Sequence, residues 1–164
     1  MDWTKQIGRY ILVMLLQVLL FDQLQLFGLC HPYIYILCLL MMPITLPHSV
    51  DMIIGAIAGL VMDIFCNSLG VHTMACIFLM FIRPYLLSAL VNDKDRLNEQ
   101  ISLRTLGAEA MFRYVAILVV LHHLMVFMLA AWSWSHIGFV LLETIVSSVL
   151  TIVVIFGYNV LKYR

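Results

Sequence analysis

The chain has little charge and no polar segment long enough for a separate water-soluble domain, its longest loop being about 92–109, and neither its cysteines nor its polar residues form a familiar chemical motif. Only 11% of the 164 residues are Asp, Glu, Lys or Arg, and nine acidic residues balance nine basic ones for a formal net charge of zero. Without a basic excess no nucleic-acid-binding surface is expected. The four cysteines, Cys30, Cys38, Cys66 and Cys76, form no C-x-x-C pair and lie in or beside apolar runs. They are read as small packing residues, with no metal site. There is no G-x-S-x-G elbow, no H-E-x-x-H and no glycine-rich phosphate loop. Catalytic residues, a cofactor and enzymatic activity are therefore not expected. No internal repeat of the kind that builds inverted-repeat transporters is found.

What the chain does have is apolar sequence. Hydrophobic residues make up 64% of it, and its mean hydropathy is +1.06, outside the range of soluble domains. The expected fold is an all-α integral membrane protein: one domain over 1–164, a compact bundle of six short transmembrane helices. These fall at about 7–27, 32–46, 50–67, 71–91, 110–132 and 136–160. The second run is short, covering roughly 22 Å against a hydrocarbon core of ~30 Å, and Pro43 interrupts it, so a re-entrant segment is the alternative. Charge placement favours six passes. Lys5 and Arg9 precede the first run, Lys94, Arg96 and Arg104 lie between the fourth and fifth, and Lys162 and Arg164 end the chain. Six passes put all of these on one side, and the positive-inside bias makes both the N- and C-termini cytoplasmic. Lys5 and Arg9 before the Tyr10–Phe21 run imitate a signal peptide, but no A-x-A site follows, so that run is read as the first membrane helix.

Ionisable residues inside such runs cost ~2.5–3.5 kcal/mol each at the bilayer centre, which makes every one a candidate for function. The richest stretch is 46–70, LPHSVDMIIGAIAGLVMDIFCNSLG. Gly55, Gly59 and Asp63 fall on one helical face, which must meet another helix, a cavity or a partner. Asp22, Asp63 and His72 gather toward the expected outer side. They form either an outward polar pocket or, with Asp63 capping the Asn67-Ser68-Leu69-Gly70 turn, a fixed corner. Arg83, followed by Pro84, is read as a cytoplasmic-side anchor that snorkels to lipid phosphates or satisfies carbonyls freed by the proline. His122 and His123 lie in the fifth run and Glu143 in the sixth. A hairpin centred on 133–135 levels Glu143 with about position 125 and predicts a Glu143–His123 hydrogen bond. That makes an intramembrane polar clasp, or on the alternative reading a proton relay. Adjacent histidines project ~100° apart on a helix and do not chelate one metal.

Several of these features recur together. Pro32-Tyr33 opening a short helix, Leu46-Pro47-His48 ending it, Gly55-x3-Gly59-x3-Asp63 and Leu69-Gly70-Val71-His72, in that order and spacing, resemble the MreD family of rod-shape-determining membrane proteins. The resemblance is best over about 30–85, and the length of the chain suits it. It implies a non-enzymatic subunit of the bacterial elongation machinery, the elongasome, in the cytoplasmic (inner) membrane. It also implies association with MreC and, through it, with the glycosyltransferase RodA, a class B penicillin-binding transpeptidase and MreB filaments, in side-wall peptidoglycan synthesis. Pro47, Gly55, Gly59, Asp63, Leu69 and Gly70 carry over as motif and helix-packing residues, none of them catalytic. The Gly55, Ala56 and Gly59 face would either receive the single membrane helix of MreC or pack on the protein's own helices. The family is also similar in fold to the S components of energy-coupling-factor transporters. The alternative reading is therefore a small-molecule uptake subunit whose pocket is lined by Asp22, Asp63 and His72. Membrane lipids surround the protein on either reading.

Overall fold

The computed structural model describes residues 3–21, 30–43, 45–91, 101–132 and 134–163, which are almost entirely helical. Helix α1 spans Trp3–Leu16 and continues as one π turn, Gln17–Phe21. A short α2 covers Ile36–Leu40, followed by α3 (His48–Cys66), α4 (Val71–Leu90), a single turn α5 (Leu103–Leu106), α6 (Ala108–Ala131) and α7 (Ile137–Tyr163). Four of them, α3, α4, α6 and α7, are long and apolar enough to cross a membrane, while α1 contributes a shorter apolar stretch, Ile7–Phe21. At ~1.5 Å per residue even α3 reaches about 28 Å, matching the ~30 Å hydrocarbon core.

The second expected pass is corrected. Instead of a helix over 32–46, the helical residues there are Ile36–Leu40 alone, flanked by extended and turn backbone. The segment is nonetheless buried along its length, from Cys30 to Met42 apart from half-buried His31. Tyr33 meets His72 of α4, and Met42 meets Arg83 of the same helix. Those two α4 residues are ~16 Å apart along the helix axis, so the segment traverses much of the bundle without being helical for most of the way. Irregular backbone at membrane depth is tolerated only inside protein, and here the other helices enclose it.

Sequence polarity is inverted relative to a soluble bundle. On α3, Ile53, Ile57, Leu60 and Ile64 are exposed, while Gly55, Gly59, Met62 and Asp63 are buried. On α7, Leu141, Ile145, Val149 and Val153 face outward, while Thr144, Ser147, Ser148, Thr151 and Asn159 are buried. Apolar side chains outside and hydroxyls inside is the arrangement that a lipid solvent selects, because small polar residues allow close helix approach and bond across it. α3 packs chiefly on α4, α4 on α6, and α6 on α7. The first and last helices meet at one end, where Tyr10 and Tyr158 line a common recess.

Candidate functional site: two buried polar centres

The first centre is the corner between α3 and α4. Asp63 is buried, and both of its carboxylate oxygens are taken: Oδ1 accepts from Ser68 Oγ (2.6 Å) and His72 N (2.9 Å), and Oδ2 from Thr73 N (2.9 Å) and Thr73 Oγ1 (2.6 Å). His72 Nδ1 lies 3.2 Å from Oδ1. The first amides of a helix have no intrahelical acceptors, so a carboxylate delivered from the neighbouring helix completes α4's N-terminus and meets the positive end of its dipole. The turn that allows this is tight. Asn67 and Gly70 both adopt left-handed backbone, with φ of 52° and 89°, which favours glycine at position 70. Leu69 is fully exposed at its tip, and Pro47 opens α3 at the other end, its carbonyl accepting from Val50 and Asp51 N–H.

The glycine stripe leads into this corner and is filled by the protein itself. A Cβ on Gly59 would lie 2.5 Å from Thr73 Cα and 2.6 Å from the His72 carbonyl oxygen, so α3 and α4 touch backbone to backbone. Gly55 faces Met80 and the Cys76 carbonyl. Of the two readings of this face, packing on the protein's own helices is the one the geometry fits, since α4 occupies it.

The geometry gives the expected outer pocket no support. Asp63 and His72 come together, but as a saturated cap, and Asp22 lies outside the described residues. The open cavity at this end, about 750 Å³ and bordered by residues such as Leu69, Met74 and Trp132, is lined by neither Asp63 nor His72. The uptake reading thus loses the carboxylate it needed.

Next to the corner is a layer of rings in edge-on and tilted contact. Tyr33 lies edge-on to His72 (5.1 Å between centroids) and close to His123 (5.2 Å), and Tyr35 Oη pairs with His122 Nε2 at 2.9 Å. His123 contacts the Val119 carbonyl through Nδ1 and Thr151 Oγ1 through Nε2 at 3.3 Å. The predicted Glu143–His123 hydrogen bond is not formed. The α6–α7 turn is a 3₁₀ segment, Trp134–His136, and His123 levels with Thr151, which sets Glu143 about two turns away on α7. Glu143 is instead half-buried.

The second centre lies toward the opposite end and surrounds Arg83, which is 1% exposed. Its guanidinium donates from Nη1 to Asp51 Oδ2 (3.0 Å), from Nε to Tyr114 Oη (3.0 Å) and from Nη2 to the Met42 carbonyl. Tyr114 Oη in turn donates to the Leu40 carbonyl at 3.0 Å. The snorkelling alternative for Arg83 is corrected, because the side chain points inward. It does satisfy a carbonyl, but at the end of α2 rather than around Pro84. A planar fork of donors suits a site that must hold a carboxylate, a phenol and a carbonyl at once.

At the other end of the irregular segment, Gln17 does the matching work. Its Oε1 accepts from Ile34 N (2.7 Å), and its Nε2 donates to the Pro32 carbonyl (3.0 Å). Gln17 opens the π turn of α1 and is fully buried. Sequence reasoning passed over Gln17, Asp51 as an ion-pair partner, Tyr114 and the Thr144, Ser147, Ser148, Thr151 stripe. The stripe carried a signal, since its three- and four-residue spacing marks one helical face.

Among the described residues there is no group of His, Cys, Asp and Glu side chains able to hold a metal ion. Both Asp63 oxygens and the Arg83 guanidinium are spent on the protein's own backbone and side chains, whereas Asp51 Oδ1 is buried without a hydrogen bond. Fold and site together define a multi-pass α-helical membrane protein built around internal polar clamps. A family model described as rod shape-determining protein MreD matches residues 3–161, and the chain belongs to that family. It is accordingly a rod-shape-determining membrane protein, of a shape-determining rather than an enzyme family. No curated protein and no solved structure matches the chain.

Proposed function

We propose that the protein is a non-enzymatic scaffold subunit of the bacterial cell-elongation machinery in the cytoplasmic membrane. It binds MreC and, through MreC, couples RodA, the class B penicillin-binding transpeptidase and MreB filaments to maintain rod shape. One observation carries the reading: the Asp63 and Arg83 centres hold the fold together, so interaction falls to the outer faces of the helices. The start of α1 and the end of α7 lie at the Arg83 end of the bundle, with Arg9 beside Tyr158 and Phe112 against Phe156. The positive-inside bias assigns that end to the cytoplasm.

The test is capture from membranes. The tagged chain is expected to retain MreC through purification, and the gene is expected to restore rod shape to round cells lacking a family member. Retention of transporter ATPase subunits without MreC would overturn the reading.

A further inference from the structure

One carboxyl of the membrane helices belongs to neither polar centre. Glu143 stands six residues into α7, ~9 Å from Ile137 along the helix axis and inside the apolar span Ile137–Leu161. The other acidic residues of the four spans, Asp51, Asp63 and Glu109, each have a partner in the protein. Glu143 forms no hydrogen bond or ion pair among the described residues. His31 is the ionisable side chain nearby, its amide held by Ser147 Oγ (2.9 Å) one turn further along α7. Its ring meets Phe127, 6.1 Å between centroids, and it does not pair with Glu143.

The surroundings of this carboxyl are apolar and face outward. Phe139, Leu142 and Val146, at i−4, i−1 and i+3, are all exposed, so half-buried Glu143 shares a flank that otherwise meets apolar neighbours. An ionised side chain in such a span costs up to ~2.5–3.5 kcal/mol unless a partner answers it. Lipid is a poor source of that partner. Lipid phosphates are anionic, and the ammonium groups of zwitterionic lipids lie beyond them, whereas Glu143 is on the hydrocarbon side. A chain that brings a cation to this depth must satisfy its own backbone there, as a membrane helix does.

We infer that the face of α7 carrying Phe139, Glu143 and Val146 docks the membrane helix of a partner protein, whose Lys or Arg in the outer half of the bilayer pairs with the Glu143 carboxylate. Charge complementarity selects the occupant. A purely apolar helix would bury the carboxylate unanswered, and a second copy of this chain, seated face to face, would bring a second Glu143 to the same level. The inference rests on the scaffold reading above, with MreC as the partner.

Capture of MreC from membranes by the tagged full chain tests this, with unfolding in detergent as the control for the integrity of each variant. Glu143→Gln should lower the MreC retained about threefold, the size of one interhelical hydrogen bond in a membrane, and Glu143→Lys should lower it further by repulsion. Glu109→Gln, at an exposed ion pair elsewhere, should change nothing. Changing the basic residue in the outer half of MreC's membrane helix to Glu should restore capture by Glu143→Lys. If the Glu143 variants do not fold, a photo-crosslinking residue at position 146 of the otherwise unaltered chain should join to that helix, and one at position 57, on α3, should not. Three results would overturn the inference and leave the scaffold reading in place: undiminished capture by Glu143→Lys, a captured helix with no basic residue in its outer half, or no crosslink from position 146. The carboxylate would then be reaching up to water by itself. Failure of the unaltered chain to retain MreC would overturn both.

Discussion

Gly59 of α3 faces the backbone of Thr73 in α4 so closely that a methyl group in its place would lie 2.5 Å from the Thr73 Cα. The obstacle is main chain, which cannot rotate away, and the helices must part to admit it. Gly59→Ala is therefore expected to cost ~1–3 kcal/mol. Gly55→Ala should cost less, because its nearest neighbour is the flexible Met80 side chain at 2.7 Å. Unfolding of the two variants in the same detergent measures the difference, and equal losses would contradict the backbone contact at Gly59.

Removing one member of the Arg83–Asp51 pair strands the other in the core. Arg83→Met alone should destabilise by ~3–5 kcal/mol, as for other broken buried pairs. Combining it with Asp51→Leu should give a loss smaller than the sum of the two single variants. Arg83→Lys should not rescue, because an ammonium cannot bridge Asp51, Tyr114 and the Met42 carbonyl in one plane. The double-mutant cycle reads the coupling directly, and strict additivity would dissolve the centre.

Asp63→Ala should leave the His72 and Thr73 amides without acceptors, at a cost of ~1–2 kcal/mol in the range of lost helix caps. Asp63→Asn should fall between that variant and the original, since one oxygen remains and an amide replaces the other. Hydrogen exchange at positions 72 and 73 is the specific readout. It should accelerate in Asp63→Ala while the middle of α4 stays protected.

A cycle between His123→Ala and Thr151→Ala should report a coupling of ~0.6 kcal/mol, typical of interhelical hydrogen bonds in membranes. The corresponding cycle between His123 and Glu143 should report none. A measurable Glu143 coupling would require the α6–α7 register to slide.

Much of the bundle was legible in hydropathy. The apolar runs at 50–67, 71–91, 110–132 and 136–160 lie within about three residues of α3, α4, α6 and α7. The run at 32–46 misled for a physical reason: hydropathy reports that a segment avoids water, and a core segment walled by protein avoids it as thoroughly as one walled by lipid. Nothing local in Ile34, Tyr35 or Met42 reveals that their backbone is held by Gln17 and Arg83, which are distant in the chain. The glycine stripe and the Asp63 corner could be read because their spacing and the adjacent turn are local. The partner of His123 could not, because the 3₁₀ turn at Trp134–His136 sets the register and hydropathy is blind to it.

The irregular segment also bears on how the chain is made. A membrane helix can insert by itself because its backbone bonds are internal, but residues 30–43 have no such autonomy. Their main chain is completed by Gln17 on one side and by Arg83 and Tyr114 on the other. Tyr114 leaves the ribosome long after Leu40 does. This stretch must therefore wait at the membrane surface or in the translocation machinery until α4 and α6 have been delivered, so the second segment to be synthesised is among the last to reach its place.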